Sequence, residues 1–140
     1  MSKVLEKPAC KVFLKHLSEC KEIIEPGNSC VWSTCLSGQS VKFYVVTVQG
    51  TIVETQKEGD GILLDDGTAV ALVKGCSKIP FQASKLIKGQ YVMAAGQLQK
   101  TGPCPQIRVT KLQNLSDNNL LSTMWPLEVI DGIFLNRDLT

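Results

Sequence analysis

From Val41 to Val53 the chain reads VKFYVVTVQGTIV, a dense run of β-branched and aromatic residues. Such side chains pack well on a pleated backbone, so the run predicts one long strand. Gly50 in its middle marks a bulge or a sharp bend. Lys57 to Gly61 predicts a turn, and Ile62-Leu63-Leu64 a second strand. Asp65-Asp66-Gly67-Thr68 predicts a hairpin, because Asp-Gly supplies the positive φ that a two-residue loop needs. Ala69 to Val73 is the third strand. Residues 77–88, with Pro80, form a short helix or irregular connector. The fourth strand is YVMAAGQLQ, whose Gly96 indicates close packing or a kink. Thr101-Gly102-Pro103-Cys104-Pro105 is a rigid turn, and Gln106 to Leu112 the fifth strand, Ile107 and Val109 alternating with Arg108 and Thr110.

The period then changes. Ser116-Asp117-Asn118-Asn119 is a helix-start signal, after which Leu120, Met124, Leu127, Ile130 and Phe134 recur at a helical spacing. Upstream of the strands, Val12, Phe13, Leu14, Leu17 and Ile24 lie between charged residues in a modest helical or mixed pattern, which Pro26-Gly27-Asn28 breaks. Residues 28–40, rich in Ser, Gly and Thr, read as a loop anchored by Trp32. Five strands with a bent first strand and a connector between the third and fourth describe a mainly β architecture: a single five-stranded Greek-key β-barrel of the OB-fold type. The reading divides the chain into an N-terminal arm (1–40), the barrel (41–115) and a C-terminal helix with its tail (116–140).

Composition narrows the function. The 140 residues are 44% hydrophobic and 20% charged with net charge +2, too little for a nucleic-acid binder driven by bulk charge. Residues 41–115 carry eight Lys and Arg108 against five acids, and residues 116–140 carry Arg137 against four, so a mildly basic body ends in an acidic tail. No apolar run approaches the ~18 residues of a membrane span, and the start, MSKVLEKPAC, has no apolar stretch of a secretory signal. The six cysteines show no disulfide framework and read as reduced thiols of a nuclear or cytosolic protein. Cys30 and Cys35 would be half a zinc site with no second half.

Catalytic constellations are missing. His16 is the one histidine, so no Ser/His/Asp or Cys/His set can be completed with a histidine base. The sequence contains no phosphate-binding glycine loop, and the Asp-Gly turn accounts for Asp66 without chemistry. The expectation is a protein that is not an enzyme and needs no cofactor. OB-folds that grip single strands use a basic groove with stacking aromatics on strands two and three, yet residues 61–73 contain no aromatic, Lys or Arg. Lys74, Lys78, Lys85, Lys88 and Arg108 offer at most a weak phosphate stripe. The alternative of a single-stranded DNA or telomere-end binder of the replication-protein type rests on them. The C-terminal segment points elsewhere. Nine of fifteen residues from Leu120 to Phe134 are large and apolar, more than one small barrel can cover. The excess predicts an interface with a second chain.

Specific residues sharpen this. Gly89-Gln90-Tyr91-Val92-Met93, Gly96, Lys111-Leu112-Gln113-Asn114-Leu115-Ser116-Asp117-Asn118, then Trp125 and Leu127-Glu128-Val129 resemble the small second subunit of the RecQ-mediated genome instability complex. Weaker matches extend the similarity over residues 11–135. The resemblance implies a non-catalytic nuclear OB-fold subunit. Its C-terminal helix, here Leu120, Met124, Leu127, Ile130 and Phe134, would pair with the C-terminal OB-fold of the larger subunit. The pair would join a RecQ helicase and a type IA topoisomerase in an assembly that dissolves double Holliday junctions. It also implies that Lys111 and Trp125 help dock a peptide from a Fanconi-type translocase, with weak or no direct DNA binding. Pro126 departs from the family pattern: it either begins the helix as its first residue or kinks it.

Overall fold

The computed structural model describes the chain except residues 1–9, 26–28, 37–38, 44, 57–59, 80–85, 118 and 140; for 23–25, 29–31, 34–36, 39–42, 119 and 132–139 it describes the backbone alone. The long strand predicted from Val41 is two strands. The first is β4 (Gln39–Phe43), and the second, β5, runs Val46–Gln56. β5 is the spine of the barrel. Its first half, Val46 to Thr51, pairs antiparallel with β8 (Tyr91–Lys100), and its second half, Thr51 to Gln56, pairs with β6 (Gly61–Asp65). β6 turns into β7 (Val70–Lys74), β7 runs parallel to β9 (Gln106–Asn114), and β9 returns antiparallel to β8. The circuit β5-β6-β7-β9-β8-β5 closes the sheet, so both ends of it are paired.

Gly50 lies where β5 changes partners. A Cβ there would stand 2.7 Å from the Asp65 carbonyl oxygen, so the close crossing of β5 over β6 needs glycine. The bend predicted at Gly50 is therefore present, while the bulge sits further along, between Ile52 and Glu54. Gly96 has both features expected of it. The β8–β9 register shifts between Ala95 and Gly96, and a Cβ at Gly96 would run into the Arg108 carbonyl oxygen and lie 2.8 Å from the Val109 Cα. Alternation does the rest. Val46, Val48, Ile52, Ile62, Leu64, Val73, Val92 and Ile107 point inward and are fully buried.

The arm differs from its reading. Within residues 28–40 the described backbone is strand rather than loop: β3 (Ser29–Leu36) and β4 (Gln39–Phe43) form with β2 (Lys21–Glu25) a separate antiparallel meander. The described chain thus has nine strands rather than five. The physical reason is visible in the residues. Ser and Thr are as compatible with an exposed strand face as with a loop, and Trp32 and Phe43, paired in register, are buried in the barrel's own core cluster. Ahead of the meander, β1 (Cys10–Lys11) adds a short parallel strand to β5, and the helical pattern shrinks to one turn, α1 (Leu14–Leu17), whose Leu14 and Leu17 are fully buried. The breaker at 26–28 lies outside the described residues. In the connector a 3₁₀ turn (Cys76–Lys78) is present, and 80–85 lie outside the description.

The N-terminus of α1 has no capping side chain at Phe13. Its donors are satisfied by the hairpin turn instead. The Leu14 N–H donates to Asp66 Oδ2 at 2.7 Å and the Lys15 N–H to Thr68 Oγ1 at 3.2 Å. Asp66 Oδ1 also accepts from the Thr68 and Ala69 amides, so one carboxylate holds the turn and the arm together. Asp66→Ala is expected to destabilise the fold by about 1–3 kcal/mol, since it strips the half-buried Leu14 and Ala69 amides and the exposed Thr68 amide of their acceptor. Thermal or urea denaturation checks this; a loss below that range would mean that the arm is not fastened here.

His16 completes the lock. Its Nδ1 accepts from the Phe13 amide at 3.1 Å, while the His16 amide donates to the Phe13 carbonyl. Burial, then the neighbouring Lys15, lowers its pKa from 6.5, with Asp66 and Glu19 opposing. The folded state therefore favours the neutral ring. Stability is fullest above 6.5 and declines as pH falls through that value and below, where the unfolded chain takes up the proton first. His16→Gln should flatten this part of the stability–pH curve; identical curves for the two proteins would remove His16 from the account.

Candidate protein-interaction surface

The C-terminal helix, α2 (Asn119–Leu139), follows β9 after a tie at the barrel's rim. The Leu115 amide donates to the Tyr91 carbonyl at 2.8 Å, and the Tyr91 amide donates to Ser116 Oγ at 3.0 Å. These bonds aim the helix back across β1 and β5. Pro126 lies inside the helix rather than at its start, and it cannot donate the backbone bond to residue 122.

Apolar residues occupy two sides of α2. Trp125 (3% exposed) and Val129 (0%) are buried. Beside them Lys11 Nζ meets Glu128 Oε1 at 3.2 Å, a half-exposed pair that fixes register more than it stabilises. Leu120 (63%), Met124 (42%), Leu127 (62%) and Ile130 (43%) face away and are exposed. At 100° per residue, Leu120 and Leu127 stand almost opposite Trp125. Four of the five residues chosen from the helical period thus share one open face. The side chain of the fifth, Phe134, lies outside the described residues. Among the described residues the other large exposed apolar side chain is Ile87.

Lys111 is exposed on β9, in register with Ala95 of β8. Trp125 lies elsewhere, sealed under α2, and its Nε1–H is a buried donor without an acceptor. It forms part of the wall of a groove of about 440 Å³, lined also by Phe13, Gln49, Asp65, Asp66 and Tyr91. Lys111 does not line this groove. Within it the Tyr91 hydroxyl donates to Gln49 Oε1 at 2.9 Å. Burial, reinforced by the charges of Asp66 and Glu128, pushes the Tyr91 pKa up to about 12, so the hydroxyl keeps its proton. Sequence reading placed the two aspartates in a turn only. The clue it passed over was α1's missing cap, which requires acceptors from elsewhere in the chain.

Of the proposed phosphate stripe, Lys74 and Arg108 are neighbours in register across β7 and β9, Lys78 and Lys88 are exposed, and Lys85 lies outside the described residues. The outer side of the β6–β7 hairpin carries Leu63, Val70 and Leu72, half-buried, rather than stacking aromatics. Among the described residues no three metal-ligating side chains come together, and no helix is long and apolar enough to cross a membrane. The side chains of Cys30 and Cys35 are outside the description. Buried Cys76 has its thiol pKa raised to about 11, chiefly by burial, which suits an unreactive core residue.

Comparison with solved structures supports the fold. Telomere capping protein Ten1 from Saccharomyces pombe superposes with a TM-score of 0.57 at 11% identity, covering 89% of this chain and 96% of that one. A chain of a Replication Protein A heterotrimer bound to ssDNA gives 0.61 at 14% identity, covering 92% and 98%. At these identities the likeness establishes an OB-fold and nothing finer. Sequence relatives are nearer. RecQ-mediated genome instability protein 2 of Bos taurus is 33% identical over 107 residues, 76% of this chain and 66% of that protein. The Mus musculus protein is 34% identical over 91 residues, 65% and 60% of the two chains. The aligned part spans a little under two thirds of each relative's length. The profile of the RecQ-mediated genome instability protein 2 family runs from residue 8 to residue 133, through the arm, the whole barrel and most of α2. The fold is thus an OB-fold, and the chain belongs to the RecQ-mediated genome instability protein 2 family.

Proposed function

We propose that this protein is a non-catalytic subunit that pairs with the larger RecQ-mediated genome instability subunit through α2. The observation that carries the reading is the outward stripe of Leu120, Met124, Leu127 and Ile130, an apolar face that the chain's own barrel leaves uncovered. Burying such side chains against a partner contributes about 1–2 kcal/mol each, which suits an obligate interface between helices. The larger subunit's C-terminal OB-fold is the occupant, as the family resemblance implies. The pair then bridges a RecQ helicase and a type IA topoisomerase in the nucleus and supports dissolution of double Holliday junctions. Lys111 and Trp125, carried over from the family motif, serve docking of a translocase peptide at the assembled pair.

Co-expression tests the reading. The two subunits should sediment as one species with equal stoichiometry, and the lone chain should bind oligonucleotides weakly. Tight, salt-sensitive oligonucleotide binding by the lone chain, with no pairing, would instead favour a single-strand binder using Lys74 and Arg108.

A further inference from the structure

We infer that the outer face of β7, β9 and β8 is an accessory contact surface for the phosphate backbone of duplex DNA. It is separate from α2, which lies across β1 and β5. Charge supplies the first observation. From Gly67 to Ser116 the chain contains no Asp or Glu, yet it carries six Lys and Arg108. That segment builds all three strands. Val73, Leu98, Ile107 and Val109 turn into the core, so alternation puts Lys74, Gln97, Gln99 and Arg108 outside. Lys74, Arg108 and Gln97 form one row in register across the three strands, and Lys100 stands beside that row, opposite Gln106. Arg108 and Lys100 are exposed and Lys74 is half-buried. The ion pair formed among the described residues is Lys11–Glu128, so none of these three cations is neutralised by it. Asp60 bounds the row on the β6 side, where its carboxylate accepts from the Ser77 amide at 3.2 Å and from the Ser77 hydroxyl.

The rest of the face selects the partner. Among the described residues the large exposed apolar side chains are Ile87 and those of α2, so these strands offer no anchor for a protein interface. Tyr91 is the one aromatic of the three strands. It sits at the far end of β8 with its hydroxyl on Gln49, so no platform for stacking a single strand's bases stands beside the row. What remains is cations interspersed with glutamine amides, the donors that hold phosphate oxygens without reading bases. The face is also not the one on which OB-folds usually take oligonucleotides, which is built on the second and third barrel strands, here β6 and β7. Three cations make a weak contact alone, one that adds to others in an assembly.

This surface goes beyond pairing through α2 and does not depend on it. It is tested on the full chain by titrating a short blunt-ended duplex of mixed sequence, with binding followed in nitrogen–proton correlation spectra. Raising the salt fourfold, from about 20 to about 80 mM, should weaken binding about 40-fold, the dependence of three phosphate contacts. Arg108→Gln and Lys100→Gln should each lower the salt slope by about 1 and weaken binding roughly tenfold at the lower salt. Lys21→Gln, on the meander, should leave the slope unchanged, and so should Leu127→Asp. Absence of binding at the lower salt overturns the inference, as does a salt slope that neither Arg108→Gln nor Lys100→Gln alters. A single strand that binds more tightly than the duplex overturns it in favour of base stacking. A polyglutamate peptide of equal charge that binds more tightly also overturns it, and would make the face a site for acidic protein segments.

Discussion

Gly96→Ala is expected to cost about 3 kcal/mol or more and to lower the thermal midpoint by about 10 °C. The added methyl group is small, but it lands on backbone. It meets the Arg108 carbonyl oxygen and the Val109 Cα of the neighbouring strand, neither of which can swing away as a side-chain tip would. Relief requires β8 and β9 to move apart at the bulge where their register already shifts, and where the Thr110 hydroxyl donates to the Ala95 carbonyl. Those two strands close the barrel, so the strain spreads to β5 and β7. Gly102→Ala is the control. Gly102 also needs glycine, for its φ of 104°, but a Cβ there meets nothing within 4 Å. It should cost only about 1 kcal/mol, the backbone penalty alone. Equal losses at the two positions would mean that strand contact is not what Gly96 protects.

Leu127→Asp is expected to weaken pairing with the larger subunit by about 100-fold or more while leaving the fold intact. Leu127 is 62% exposed in the free chain, so the barrel loses little packing when it changes. In the pair, the substitution removes the burial of a leucine and adds a carboxylate that must be stripped of water; together these exceed the ~2.7 kcal/mol that a hundredfold change requires. Ile130→Asp should behave in the same way. Trp125→Ala behaves differently. Trp125 is buried beneath α2, so truncating it costs about 3–5 kcal/mol of folding stability, and any loss of pairing follows from a detached helix. Denaturation midpoints separate the two mechanisms. Leu127→Asp should melt within a few degrees of the parent, and Trp125→Ala well below it.

The barrel was legible because its signals were local and redundant. The β-branched run around Val48, the Asp-Gly turn at Asp66-Gly67 and the alternation of Ile107 and Val109 each identify one element without reference to the others. The meander was not, since Ser29 to Phe43 mixes strand formers with Ser, Gly and Cys. Its burial comes from Trp32 and Phe43 reaching a core built by other strands. On α2 the sequence revealed an excess of apolar residues but not their division. Apolar side chains occur all round the first turns, so periodicity cannot say which of Trp125 and Leu127 faces the barrel. That choice follows from where Leu115 and Ser116 are tied to Tyr91, a tertiary constraint. The groove was hidden for the same reason, since Phe13, Asp65, Tyr91 and Trp125 meet only after the barrel closes.

The most direct test of the outward face is a chemical one, on Leu127→Cys in the full chain. Thiol alkylation is followed alone and after addition of the larger subunit, with the exposed native Cys104 as the internal standard. The account predicts that the new thiol reacts as readily as Cys104 in the lone chain and is strongly protected in the pair, while Cys104 keeps its rate. Undiminished reactivity at position 127 in a stable stoichiometric pair would show that the partner sits elsewhere, and would contradict it.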